Sequence, residues 1–202
     1  MKITLICAAL VAASLTAGLT GCAGVSTDVR ASPSATPLPG ERSYTLARSP
    51  LQDASADHLQ YETWIRGELG KYGFTDVPQQ RAHYLLSIAY DTRLAGVRVG
   101  AADCTQAACN GSGTGSFSLF GGHLYRHSLT LRFFEQTSGH EVYKVSASSQ
   151  DRDADPLHAI PYLVKSALAQ FPFADHPDWR VKLRADEAGG APQVTSVKPV
   201  QP

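Results

Sequence analysis

Asp151, Asp153 and Asp155 alternate through Asp151-Arg152-Asp153-Ala154-Asp155, the spacing at which a calcium loop presents its first carboxylates. Such a loop needs Gly at its sixth position for the sharp turn and a bidentate Glu at its twelfth. Here those positions hold Pro156 and Tyr162, so the segment reads as a solvated loop leading into a helix. His123 and His127 are four apart and, on an extended chain, share one face, a spacing that can seat a metal. No third ligand accompanies them, because the strand pairing argued below sets Ser149 opposite His127 and His140 at the far turn. No metal and no cofactor are expected. The Gly-rich run Asn110-Gly111-Ser112-Gly113-Thr114-Gly115-Ser116 lacks the Gly-Lys-(Ser/Thr) ending of a phosphate loop and reads as a flexible connection. No Gly-x-Ser-x-Gly elbow exists, and the spacing of Ser, His and Asp proposes no triad. The expected set of catalytic residues is therefore empty, and the chain is read as not an enzyme.

The cysteines carry different chemistry. Lys2 is followed by a run without charge, residues 3–20, that ends in Leu19-Thr20-Gly21-Cys22. A cationic start, an apolar segment and small residues before a cut site form the pattern of an export signal. A retained membrane helix is the alternative for these 18 residues. The run is rich in Ala, Thr, Ser and Gly, and no basic cluster anchors its far end, which favours cleavage. Its ending resembles the bacterial lipobox. That resemblance implies diacylglyceryl transfer to the Cys22 thiol, cleavage before Cys22 and acylation, commonly with palmitate, of the new amino terminus. Several acyl chains on one residue give a stable anchor, whereas one chain gives only marginal binding. Ala23 stands where lipoproteins retained at the inner membrane often carry Asp, so the expected location is the periplasmic face of the outer membrane. Cys7 leaves with the signal. Cys104 and Cys109 remain as an even pair in an oxidising compartment and are expected to form a disulfide.

Without residues 1–21 the chain keeps 17 basic and 18 acidic residues, since Lys2 is the one charge lost. That balance offers no basic excess to neutralise phosphates and excludes nucleic acid as a general partner. The size suits one domain. The expected organisation is a signal peptide over 1–21 and a lipidated Cys with a flexible tether over 22–40. A single domain over 41–185 and a disordered tail over 186–202 complete it. The tether and the tail are assigned on composition, as both are rich in small and polar residues and Pro.

The elements expected inside that domain begin with a short strand over 42–47. A helix follows over 56–72, with Ser55 as N-cap and Gly73 as stop. Its apolar face carries Tyr61, Ile65, Leu69 and Tyr72. Residues 84–91 alternate cleanly and read as a strand. Residues 125–133 and 142–149 form two more, joined by a turn at Thr137-Ser138-Gly139. Pairing about Ser138 places Leu131 opposite Val145, Phe133 opposite Tyr143, Thr130 opposite Ser146 and Arg132 opposite Lys144. Ile160, Leu163, Val164, Ala167, Leu168 and Phe171 form an unbroken helical stripe. An interior proline breaks a helix, so this one is expected to start near His158 with Pro161 in its first turn. Trp179, Val181 and Leu183 suggest a last strand. The order β-α-β-β-β-α-β gives an α+β fold: a two-layer sandwich of mostly antiparallel sheet with two helices on one face.

The order of landmarks resembles the bacterial lipoproteins of domain-of-unknown-function family 4136, over residues 41–184. The marks are Ser43-Tyr44, Leu69 through Tyr72-Gly73-Phe74, Tyr84-Leu85-Leu86-Ser87-Ile88, the hairpin Glu135-Gln136-Thr137-Ser138-Gly139-His140-Glu141-Val142-Tyr143-Lys144, and Phe171-Pro172. His83 departs from an acidic residue and Tyr143 from a common Trp. The family supplies no catalytic residues. The face of the hairpin opposite the core carries Arg126, Arg132 and Lys144 among Ser128, Thr130, Ser146 and Ser148. It is the candidate binding face, for an envelope protein or a wall component such as peptidoglycan, while the lipid anchor makes the membrane itself a partner. The expected role is a non-catalytic envelope binding or scaffolding module. A carrier for an apolar ligand or lipid between helices and sheet is the alternative, with an unrecognised enzyme as the third.

Overall fold

The computed structural model describes residues 24–32, 38–95, 123–186 and 190–201. In chain order they form β1 (Gly24–Ala31), β2 (Ser43–Ala47), α1 (Pro50–Asp53), α2 (His58–Lys71), β3 (Thr75–Asp76), β4 (Tyr84–Leu94), β5 (Tyr125–Glu135), β6 (Glu141–Asp151), α3 (Pro156–Ala167), β7 (Asp178–Arg184) and β8 (Gln193–Pro199). The strands make one open sheet of eight, ordered β3-β2-β4-β5-β6-β1-β7-β8. Its pairings are antiparallel except those of β2, which runs parallel to both β3 and β4. The class is α+β, with a mixed sheet. Among the described residues, no helix is long and apolar enough to cross a membrane.

The β5–β6 hairpin has the register that its alternation dictates. Leu131 pairs with Val145, Phe133 with Tyr143, Thr130 with Ser146, Arg132 with Lys144 and His127 with Ser149. Thr130 and Ser146 exchange a hydroxyl hydrogen bond of 2.6 Å on the polar face. The apolar parity is wholly buried and joins Ile65 and Leu69 of α2 and Ile160, Leu163 and Val164 of α3 in one core. Burial of the tyrosines is compensated at their hydroxyls. Tyr143 accepts the Phe173 N–H at 2.9 Å, and Tyr72 donates to the Leu168 carbonyl. Helix α2 stops where Gly73 adopts φ 78°, a left-handed conformation that costs glycine nothing. The Phe74 N–H then reaches back to the Leu69 carbonyl and the Gly73 N–H to that of Gly70, closing the helix end while Phe74 enters the core.

Three boundaries differ from the sequence expectation. Residues 24–31, assigned to a tether, are instead a central strand, paired with β6 on one side and β7 on the other. Thr27, Val29 and Ala31 are buried there while Ser26, Asp28 and Arg30 face out, so a period-two pattern outweighs a composition poor in large apolar groups. The tail expected over 186–202 contains β8, an edge strand along β7 from Trp179↔Pro199 to Arg184↔Gln193. Helix α3 starts at Pro156 rather than His158. Asp155 caps it by accepting the Leu157 N–H at 2.9 Å, and Pro156 occupies a first-turn position where no N–H is missed. Pro161 is thus inside the helix and removes one backbone hydrogen bond. Burial of Ile160, Leu163, Val164 and Ala167 around it offsets that loss. Two smaller shifts follow: Asp57, not Ser55, takes the α2 N-cap position, without a side-chain cap, and α3 ends at Ala167, ahead of Phe171. The signal peptide, Cys22, Cys104, Cys109 and the Gly-rich run at 110–116 lie outside the described residues.

Candidate functional site

The polar parity of β1, β5, β6 and β7 lines a groove of about 830 Å³ across the outer side of the sheet. Arg30, Arg126 and Arg180 face it with Asp28, Asp178, Ser146 and Ser148. Two of these cations are paired across strands: Arg30 with Asp178 at 2.7 Å and Arg180 with Asp28 at 2.9 Å. Arg126 meets no carboxylate among the described residues; the Gln150 amide, turned to present its oxygen, accepts from it at 2.6 Å. Of the three residues expected on this face, Arg126 thus lies in the groove. Arg132 is taken up at the hairpin end by Glu141 at 2.5 Å and lies 5.1 Å over the Phe134 ring. The facing Arg132 and Lys144 are therefore tolerated because a carboxylate sits beside them.

At one end of the same hairpin, on its core side, a second group of chemistry-bearing residues converges. His127 is wholly buried, and its Nε2 lies 3.0 Å from the Asp153 carbonyl and 3.4 Å from the Asp151 carboxylate. Its Nδ1 meets the Thr92 hydroxyl of β4 at 2.9 Å. His158, in the first turns of α3, places Nε2 2.9 Å from the other Asp151 oxygen and hydrogen-bonds the Asp155 carbonyl through Nδ1. The two imidazoles stand edge to face with centroids 5.0 Å apart. Burial alone would raise the Asp151 carboxyl, but the His158 hydrogen bond, the Asp153 N–H and the neighbouring imidazoles hold it below the usual carboxylate range. Burial likewise works against a charged His158; its bonds to Asp151 and the Asp155 carbonyl win and raise it above the ordinary imidazole value.

The sequence reading paired His127 with His123, whereas the structure pairs it with Asp151 and His158 and leaves His123 exposed before β5. The missing signal was in the register. With His127 opposite Ser149, Asp151 is its diagonal neighbour on the same face. A third feature gave no sequence signal at all. Glu62 of α2 is 1% exposed and is gripped by Arg48 through both oxygens, at 2.5 and 2.8 Å, with Arg66 at 3.2 Å. Arg66 also binds Asp76 of β3 at 2.8 Å, so the chain of charges ties the start of α1 to α2 and the sheet edge. Burial pushes the Glu62 carboxyl up, but the two guanidiniums bring it below its ordinary value.

Space for an apolar ligand is small where the helices meet the sheet. An open recess between Leu51, Tyr61, Tyr90 and Ile160 holds about 220 Å³, and a second beside Tyr72, Phe74 and Phe171 about 40 Å³. Both fall below the roughly 300 Å³ at which ligand cavities begin.

A mixed eight-stranded sheet whose apolar parity shares one core with α2 and α3, with a groove over the polar parity, defines an α+β domain. The chain belongs to the family described as Domain of unknown function (DUF4136), whose model matches residues 25–173. The match starts inside β1, in line with a domain that begins at this strand rather than at residue 41. No curated protein matches the chain. Among solved structures, the PelC dodecamer from Paraburkholderia phytofirmans is similar at 14% identity and TM-score 0.42, over 71% of this chain and 95% of that one. A PDZ domain protein from Parabacteroides distasonis is similar at 12% identity and TM-score 0.49, over 87% of this chain and 42% of that one. Neither likeness transfers a partner or an assembly to this chain.

Proposed function

We propose that this is a lipid-anchored protein of the outer membrane's periplasmic face, a non-catalytic module that holds an anionic, hydroxyl-rich component of the envelope such as peptidoglycan. In this reading the helices form one layer and the sheet the other, so the outer sheet face stays open to a partner. The observation that carries it is the groove over β1, β5, β6 and β7. Its acidic residues are used by Arg30 and Arg180, which leaves the Arg126 guanidinium, bonded only to the neutral Gln150 amide, and the Ser148 hydroxyl for a ligand. Arg suits carboxylate recognition because its planar fork bonds both oxygens at once. The lipobox supports the location, and the recesses of 220 and 40 Å³ disfavour the apolar carrier.

The test is co-sedimentation of the purified chain with isolated peptidoglycan sacculi. Arg126→Glu should weaken binding about tenfold or more, and added salt should weaken the wild type. Binding that is absent, or equal in Arg126→Glu, would overturn the groove as the site. The anchor is tested separately: radioactive palmitate should label the wild type and not Cys22→Ala.

A further inference from the structure

We propose that His127 Nε2, His158 Nε2 and the Asp151 carboxylate form a binding site for one divalent transition-metal ion of the zinc class, with its solvent side completed by water. The three ligand atoms lie within 4.8 Å of one another and come from β5, α3 and the end of β6. Bonds of roughly 2.0–2.2 Å to such an ion place neighbouring ligand atoms about 3–3.5 Å apart. The carboxylate already stands 3.4 Å from one imidazole nitrogen and 2.9 Å from the other. Only the approach of the two imidazoles is left to adjust, on the side where His158 is about one third exposed.

Donor and acceptor bookkeeping points the same way. The Asp155 carbonyl accepts from His158 Nδ1, so Nε2 aims either a second proton or a lone pair at Asp151. His127 Nε2 likewise faces two acceptors, the Asp153 carbonyl and Asp151. Two imidazole nitrogens and both oxygens of one carboxylate therefore converge on a spot that needs positive charge. A bound cation supplies it in place of protons. The surroundings already hold the ligands in orientation. With the Thr92 hydroxyl accepting from His127 Nδ1–H, 2.9 Å away, the ring is held in the tautomer that frees Nε2 for a metal. The Asp153 N–H holds an Asp151 oxygen at 2.9 Å, and the Asp155 carbonyl orients His158.

The donor set also sets the class of ion. Calcium and magnesium take oxygen ligands, whereas two imidazoles with one carboxylate suit zinc and its neighbours in the transition series. The spacing that resembles a calcium loop in sequence thus serves a different ion, with Asp151 alone of the three aspartates facing both imidazole Nε2 atoms. Three protein ligands with one side at solvent leave an open position, the arrangement of a zinc site that keeps a bound water.

The experiment is titration of the full chain, purified in detergent and stripped with a chelator, with Zn²⁺ and then Co²⁺. One saturable ion per chain is expected, with a Co²⁺ visible spectrum that His158→Gln and Asp151→Asn both abolish or weaken about tenfold or more. Because His127 is wholly buried, its loss threatens the fold, so the two partly exposed ligands carry the test. Their apo forms should melt as single cooperative transitions. His123→Gln is the control and should bind as the wild type does. No saturable uptake, or uptake that survives both His158→Gln and Asp151→Asn, would overturn the site. The second result would assign the ion to other ligands of the chain, with Cys104 and Cys109 first to be tested.

Discussion

Glu62 shows how a single residue can be illegible in sequence and consequential in structure. On the α2 pattern it reads as one more solvent-facing carboxylate beside Tyr61. Its burial is imposed from outside the helix, by Arg48 14 positions earlier and by Arg66 one turn later. A buried carboxylate is tolerated only while paired, so removal of Arg48 leaves a charge that Arg66 alone must satisfy. Arg48 is about one third exposed, and water screens part of the loss. Arg48→Met should therefore cost about 1–3 kcal/mol, below the range for a fully buried pair, read as a shift of the urea midpoint. The pH dependence has a definite sign. The Glu62 carboxyl lies below its ordinary value of 4.5 in the folded chain. Its contribution is then complete above that value and disappears as pH falls through the lower folded value. The stability gap between wild type and Glu62→Gln should be widest at neutral pH and close in strong acid. A gap that widened on acidification would contradict the pairing.

At the scale of elements, legibility follows the strength of the repeat. The register of the β5–β6 hairpin was readable up to Phe133, while the strands themselves run further, to Glu135 and over Glu141–Asp151, with a register shift after Phe133. It was readable because apolar and polar side chains alternate, and a slip of one would bury Arg132 and expose Leu131. Leu131→Ala should accordingly cost about 2–5 kcal/mol, while Lys144→Ala should change the urea midpoint little. The two longer helices were readable for the same reason, with their first turns and the end of α3 displaced, while the four-residue α1 was not expected. Strand β1 was missed, although Val25, Thr27, Val29 and Ala31 alternate with Ser26, Asp28 and Arg30, because its inward residues are small. Small side chains suit a strand whose inner face lies under α3, which packs across β1, β5 and β6. Edge strand β8 left even less signal, since most of its residues are exposed and its pairing is backbone hydrogen bonding to β7. A short β3 at one edge and a strand carrying Lys198 and Pro199 at the other blunt the sheet against further pairing. If β1 is central, the amides of Thr27 and Val29 should exchange as slowly as those of Ala147. Val29→Ala should cost about 1–3 kcal/mol, more than Asp28→Ala at its surface ion pair. Fast exchange across 25–31 would restore the tether.

For the whole molecule, the place of β1 changes what the proposed anchor would do. With a tether of 18 residues the domain would hang at any angle to the membrane. With β1 starting at Gly24, Cys22 is two residues from the sheet, a reach of about 7 Å. A lipid on Cys22 would then hold one particular end of the domain against the bilayer. Strand β1 is antiparallel to β6, so its Gly24 end lies toward Asp151 and away from the turn at Thr137-Ser138-Gly139. The 11-residue strands β5 and β6 separate those two ends by roughly 35 Å. The proposed metal ligands are at the near end, and the groove runs up the outer face beside them. Fluorophores placed by Arg152→Cys and by Ser138→Cys, in a chain carrying Cys104→Ser and Cys109→Ser, measure the geometry against acceptors in the surface of lipid vesicles. Energy transfer from position 152 should greatly exceed that from position 138. Insertion of ten Gly and Ser residues after Ala23 should bring the two signals together without changing the melting temperature, because the inserted chain restores the freedom that β1 removes. Equal transfer from both positions in the chain without the insertion would mean that the lipid does not orient the domain.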